Sequence, residues 1–311
     1  MSRILLVFVA IIFMTAFFTA ANQASALKTD NSINQQLKQS NTGCDTTSKC
    51  TNEKAIAVIS GPFPDSNNAI IHDSQNSKIN QNIHQANDQC INTSVCDNQG
   101  STSGSIQNSH KSKIHQAQTE SNTACTASLT CLNIATTTGN IINSNHAKVV
   151  QKQNLANSGC SGFSTCFNQA IQLGNNTNSN NAKVVQKQNL ANSGCSGFLN
   201  CQNTATQTGT NQNSNNAKII QKQNLSNSGC SSNACSNTAT QLGNITNSNN
   251  AKIVQKQNLA TTGCTGSCQN TALDNATIVN SPGSKIAQST NQISSCSGTC
   301  QNNGTQTAVI N

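Results

Sequence analysis

Apolar positions in this chain recur first at short range. A β-branched residue is followed two positions later by glutamine in eight places: Ile33/Gln35, Ile79/Gln81, Ile114/Gln116, Val149/Gln151, Val184/Gln186, Ile219/Gln221, Ile253/Gln255 and Ile286/Gln288. A spacing of two puts both side chains on one face of a strand and leaves the neighbouring lysines on the other. A second segment reads C-x-N-x-A, with Asn52, Asn98, Asn133, Asn168, Asn203, Asn237, Asn270 and Asn302 at the same place in every copy, and Gln172, Gln207, Gln241 and Gln306 continue its face. Nowhere do the apolar positions repeat every 3.6 residues, so strands rather than helices are predicted. Asn and Ala are poor strand formers singly. The strands are therefore expected to draw on stacking, in which identical amides one rung apart, about 4.8 Å, hydrogen-bond along the axis as ladders.

A longer period organises these pairs. The seventeen-residue phrase AKVVQKQNLANSGCSGF occurs at 147–163 and again at 182–198. From Lys78, Lys113, Lys148, Lys183, Lys218 and Lys252 to the next cysteine is 12 residues, and from Lys285 it is 11. From the second cysteine of each pair to the next lysine is 17 residues, except in the first repeat, which is lengthened by an insertion near 54–73 that includes GPFPDSNN. Repeats of 33 to 35 residues are the mark of a stacked architecture. The predicted fold is all-β: a parallel β-solenoid of eight strand-tip-strand repeats, forming one array over 27–311, with polar return turns such as GNNTNSNN. The serine column Ser74, Ser109, Ser144, Ser179, Ser214, Ser248 and Ser281 is assigned to those turns.

Sixteen cysteines fall in eight close pairs: Cys44/Cys50, Cys90/Cys96, Cys125/Cys131, Cys160/Cys166, Cys195/Cys201, Cys230/Cys235, Cys264/Cys268 and Cys296/Cys300. Zinc sites want four ligands at fixed spacing, whereas the gap inside these pairs drifts from five residues to three. Disulfides are expected instead, each clipping a tip that is free to change length. Bridged Cα atoms sit roughly 5.5 Å apart while packed sheets are about 10 Å apart. Hence the solenoid must pinch at its cysteine edge or close a hairpin-like tip there. The bridge is expected within each repeat, although neighbouring rungs are also within reach. Each short loop adds ~2 to 3 kcal/mol by the chain-entropy view.

Composition sharpens the need for such devices. The run ILLVFVAIIFMTAFFTA followed by Ala24-Ser25-Ala26 predicts a signal peptide over 1–26, with no membrane span after its removal. The remainder of the chain has four Phe and no Trp or Tyr, too little apolar surface for an ordinary core to offset the entropy of ordering. The net charge is +8, and eight of the nine acids precede residue 121. The basic C-terminal half is expected to favour polyanions such as acidic polysaccharide or nucleic acid. Lys148, Lys183, Lys218 and Lys252 are the candidate contacts, since stacked lysines repel by about 1 kcal/mol per neighbour in water. Ranks such as Thr204-Ala205-Thr206 and Thr238-Ala239-Thr240 raise an ice-binding alternative, although Gln169/Ile171 and Thr271/Leu273 interrupt them. The five histidines share no repeat position and the acids form no pair in register. No catalytic, metal or cofactor site is therefore expected, and the chain is not read as an enzyme.

With S-x6-Q before the tip and N-x-A-x-Q after it, the repeat resembles those of curlin, the bacterial amyloid fibre subunit. It departs from them in being longer and in carrying disulfides. The resemblance implies a secreted structural protein of an extracellular fibre, cell surface or biofilm matrix. Repeat one starts close to the leader and repeat eight ends at GTQTAVIN without a predicted capping helix, so self-association by end-to-end stacking is expected. The alternative is a monomeric secreted adhesion module for polyanionic glycans or ice.

Overall fold

The computed structural model describes residues 32–41, 49–55, 68–72, 76, 78–91, 95–126, 130–162, 165–197, 200–231 and 234–311. The expected leader, Cys44 and most of the insertion near 54–73 lie outside them. The architecture is an all-β parallel solenoid. Its first sheet stacks Ser32–Asn41, Lys78–Asn87, Lys113–Asn122, Lys148–Asn157, Lys183–Asn192, Lys218–Ser228, Lys252–Cys264 and Lys285–Cys296 in that order. The second stacks Lys49–Ala55, Val95–Gln107, Thr130–Ile142, Thr165–Thr177, Asn200–Gln212, Ala234–Thr246, Ser267–Val279 and Thr299–Ile310. All these pairings are parallel, and equivalent positions meet: Lys148 lies beside Lys183 and Lys183 beside Lys218, while Asn168 lies beside Asn203.

The period-two pattern of the sequence explains which side chains face in. In the fourth rung Val149, Gln151, Gln153, Leu155 and Asn157 are buried, and Lys152, Asn154 and Ala156 between them are exposed. On the opposing strand Cys166, Asn168, Ala170, Gln172, Gly174 and Asn176 point inward. Large residues therefore meet small ones across the interior. Leu155 packs with Ala135 and Ala170. From Ile114 to Ile253 each β-branched residue faces a glycine, so closely that a Cβ on Gly209 would lie 2.7 Å from Ile219 Cγ2.

Turn chemistry closes each rung. The return turn places Asn178 and Asn181 at φ of 53° and 55°, a left-handed region that Asn enters more readily than most residues. Between them Ser179 turns into the interior, where its Oγ donates to Thr177 O and accepts the Ser144 amide. From Ser109 to Ser281 the serine column thus belongs to the return turns, fully buried at Ser144, Ser179, Ser214 and Ser248; Ser74 lies outside the described residues. At the tips Gly194 stacks on Gly159 with φ of 70°, a left-handed conformation that disfavours a side chain there.

Length changes are absorbed without loss of register. Ala55 pairs with Ser101 and Asn68 with Ser103, so the insertion leaves the second sheet and returns to it two positions on. In the last repeat Thr261 pairs with Ser294 and Cys264 with Cys296, with a bulge between them. That bulge accommodates the one residue by which the lysine-to-cysteine interval is shorter there.

Candidate functional site: amide ladders, a disulfide column and a lysine face

Seven disulfides are formed among the described residues, each within its own repeat: Cys90–Cys96, Cys125–Cys131, Cys160–Cys166, Cys195–Cys201, Cys230–Cys235, Cys264–Cys268 and Cys296–Cys300. Their Cα atoms are 6.2 to 6.5 Å apart, so the sheets converge at this edge. The bridges stack into one buried column, and the sulfurs of Cys125, Cys160 and Cys166 lie within 4.8 Å of one another. As disulfides they offer no thiolate to a metal. Repeated disulfides point to an oxidising environment. Cys44 is outside the described residues, and Cys50 is placed only by backbone pairing with Cys96.

The amide columns are continuous. Gln81 Nε2 donates to Gln35 Oε1 at 3.0 Å and Gln116 to Gln81 at 2.9 Å, and the series continues through Gln151, Gln186, Gln221 and Gln255 to Gln288. Each also reaches across to the other sheet, as Gln151 Nε2 does to Leu173 O at 2.8 Å. In the second sheet Asn98 Nδ2 donates to Asn133 Oδ1, and that chain runs through Asn168, Asn203, Asn237 and Asn270 to Asn302. Asn52 is positioned by backbone register beside Asn98. The glutamine column donates toward lower residue numbers and the asparagine column toward higher, so the two rows of dipoles oppose each other.

Several interior columns go beyond those singled out from sequence. Gln118, Gln153, Gln188, Gln223 and Gln257 form a second glutamine ladder. Asn87, Asn122, Asn157, Asn192 and Asn227 form an asparagine ladder that also bonds across to the Asn168 column, as Asn157 Nδ2 does to Asn168 Oδ1 at 3.0 Å. The signal was present, because the spacing of two that links Val149 to Gln151 continues through Gln153 and Leu155 to Asn157.

Two acids interrupt the interior. Glu120 takes the place of Leu155 in its column and is 1% exposed; Gly100 leaves room for it, since a Cβ there would lie 2.6 Å from Glu120 Oε1. Burial, reinforced by the charge of Asp97, holds its carboxyl well above the ordinary carboxylate range. Asp274 replaces glutamine in the Gln207–Gln241 column, where burial pushes it up to about 6 against the opposing hydrogen bond from Thr290.

Lysines occupy the outer face of the first sheet. Lys148, Lys183, Lys218 and Lys252 stack in one column, and Lys152, Lys187, Lys222 and Lys256 form a second, exposed one. Between the two runs an aliphatic column of Val150, Val185, Ile220 and Val254. His115 stands in that column one rung earlier, and burial, then the nearby lysines led by Lys152, hold its imidazole below the ordinary range. His110 meets His146 edge to face, with ring centroids 5.5 Å apart.

No protein-family model, curated protein or solved structure matches the chain.

Proposed function

We propose that this chain is a secreted, non-catalytic structural protein, curlin-like in design, that forms or decorates an extracellular fibre, cell surface or biofilm matrix by stacking end to end on further copies. The supporting observation lies at the rim of the array. Ile245 and Ile278 are 0% exposed, whereas Ile310, next in the same column, is 54% exposed. A residue built for the interior stands open on a rung whose backbone edge is also a template for another strand.

Ladder polarity supports the same reading. Gln288 hands its donors to Gln255, Asp274 and Thr307, while Gln35 Nε2, at the other end of that column, is buried without a partner. A head-to-tail neighbour would bring a donor to an acceptor at the joint, and cover Ile310 as it did so. Secretion agrees with the oxidising conditions that the bridges require.

Negative-stain microscopy and fibre diffraction of the purified, oxidised chain test the proposal. Long filaments with a meridional spacing of about 4.8 Å are expected. A chain that stays monomeric at high concentration would refute it and favour the adhesion-module alternative.

A further inference from the structure

The acid-free stretch of the chain carries its charge in one place. No Asp or Glu occurs between residues 121 and 273, and all eight lysines of that stretch stand in two columns, that of Lys152 and that of Lys148, which continues to Lys113 and Lys78 on one side and to Lys285 on the other. The acids at either end of the stretch cannot neutralise them from the same face, because Glu120 and Asp274 are 1% and 0% exposed in the interior. The first sheet therefore presents a block of uncompensated positive charge, four rungs deep and two columns wide.

We infer that this face binds a linear acidic polysaccharide of the polyuronate kind, laid along the solenoid axis. Within a column the ammonium groups recur at the rung spacing of about 4.8 Å, close to the length of one sugar residue, so a polymer with one carboxylate per sugar can meet each rung in turn. Their mutual repulsion is relieved when anions lie between them. The columns are four residues apart, roughly 13 Å along the strand, and the aliphatic column between them, buried at Val150 and half-buried at Val185, Ile220 and Val254, gives a sugar ring an apolar floor. Beyond Lys152 lies a shallow axial groove lined by Asn154, Ala156, Asn189 and Ala191. On its wall Asn189 Nδ2 donates to Asn154 Oδ1 at 2.8 Å and Asn224 repeats the contact on Asn189. These exposed amides keep further donor and acceptor capacity for hydroxyls. The face holds lysine, aliphatic, asparagine and small residues but no aromatic platform on which bases could stack, which favours polysaccharide over single-stranded nucleic acid. It runs parallel to the axis, so it is available whether or not copies stack at the ends.

The test uses the oxidised full chain on immobilised polygalacturonate over a salt gradient, with a neutral glucan and duplex DNA as comparison ligands. One variant carries Lys152→Gln, Lys187→Gln, Lys222→Gln and Lys256→Gln. A charge-matched control carries Gln169→Glu, Gln202→Glu, Gln212→Glu and Gln269→Glu on the outer face of the second sheet. Circular dichroism and melting confirm that both retain the fold. The expected result is salt-sensitive retention of the natural chain, an affinity loss of about tenfold or more with a flatter salt dependence in the lysine variant, and a much smaller loss in the control. Equal losses in the two variants, equal retention on the neutral glucan, or tighter binding to duplex DNA than to polygalacturonate would each overturn the inference.

Discussion

Asp274 stacks on Gln241 in neighbouring rungs of one interior column, and Asp274 Oδ1 and Gln241 Oε1 are both buried without a hydrogen-bond partner. Elsewhere in that column an amide donates to the next oxygen, as Gln241 Nε2 does to Gln207 Oε1 at 3.1 Å. An ionised carboxylate has no proton to continue the series, whereas a carboxylic acid has one. The solenoid should therefore hold this proton more tightly when folded than when unfolded. With the folded group pushed up to about 6 and the unfolded one near 4, stability is full below about pH 4, falls as pH rises to about 6, and is level beyond. Glu120 shifts in the same direction and adds to the fall. Melting temperature measured from pH 3 to 8 should show this decline, and the Glu120→Gln/Asp274→Gln double variant should flatten it. An unchanged decline in that variant would remove these two groups as its cause.

The same defect has a second half. Thr290 follows Gln257 in register, but its hydroxyl donates to Asp274 Oδ2 at 2.8 Å, and Gln257 Oε1 is left buried without a donor. Extending both columns with Asp274→Gln and Thr290→Gln supplies a donor to each orphan oxygen. With a net gain near 1 kcal/mol per hydrogen bond, the pair should stabilise the chain by about 2 kcal/mol at pH 7, read by denaturant unfolding. Destabilisation would mean that the two longer side chains do not fit between the sheets.

Whatever the repeat states many times was legible in the sequence. The β-branched, glutamine and asparagine columns, the two strands and the cysteine-pinned tip all come from spacings of two and from a period near 35, the interval between Lys148 and Lys183. Which oxygen a given amide bonds to was not legible, since that depends on how near the sheets approach, and the approach is set by glycine facing Val or Ile across the core. Nor was the placement of single departures. Glu120 and Asp274 look like surface charges in a polar chain, and only the register shows each occupying a buried column. The outward position of the second lysine column was legible too, although only the column of Lys148 was singled out as a candidate contact. Lys152 stands directly after Gln151 in the repeated phrase, and alternation alone puts it outside.

Close approach at the glycines gives a sharp packing test. Gly139, Gly174, Gly209 and Gly243 each face a β-branched residue, with added Cβ atoms 2.6 to 2.9 Å from its methyl groups. Gly209→Ala should force Ile219 or the sheets apart and cost about 1 to 3 kcal/mol, as overpacking does. Combining it with Ile219→Ala makes room for the methyl, so the double variant should be more stable than the two separate costs predict. Strict additivity in that cycle would mean that the two positions do not touch.

The disulfide column predicts a dependence on position along the axis. Cys195 and Cys201 are buried between neighbouring bridges, whereas Cys296 and Cys300 are only partly buried at the rim. Replacing Cys195 and Cys201 with alanine removes a short-loop constraint worth roughly 2 to 3 kcal/mol and also opens a gap in the stack. The same change at Cys296 and Cys300 loses the constraint but little packing. Unfolding by denaturant should show the central pair costing more, and equal costs would assign the whole effect to the loop.

Two asparagine ladders of nearly identical geometry separate the value of the bond from the value of its burial. Inside, Asn168 Nδ2 donates to Asn203 Oδ1 at 2.9 Å and to Asn192 Oδ1 at 2.8 Å, and its own oxygen accepts from Asn133 and Asn157. Outside, Asn224 Nδ2 donates to Asn189 Oδ1 at 2.8 Å, and Asn258 donates to Asn224 at 2.9 Å. Water can replace any partner lost on the outer face. It cannot reach the inner one, where Asn168→Ala removes four buried side-chain bonds at once, those to Asn133, Asn157, Asn192 and Asn203, at about 1 kcal/mol for each bond lost. Asn168→Ala is therefore expected to cost several times more than Asn224→Ala, which should fall within about 0.5 kcal/mol of the natural chain. If the two substitutions cost the same, the ladders would contribute through their geometry alone, and burial of polar columns would not be what holds this solenoid to one register.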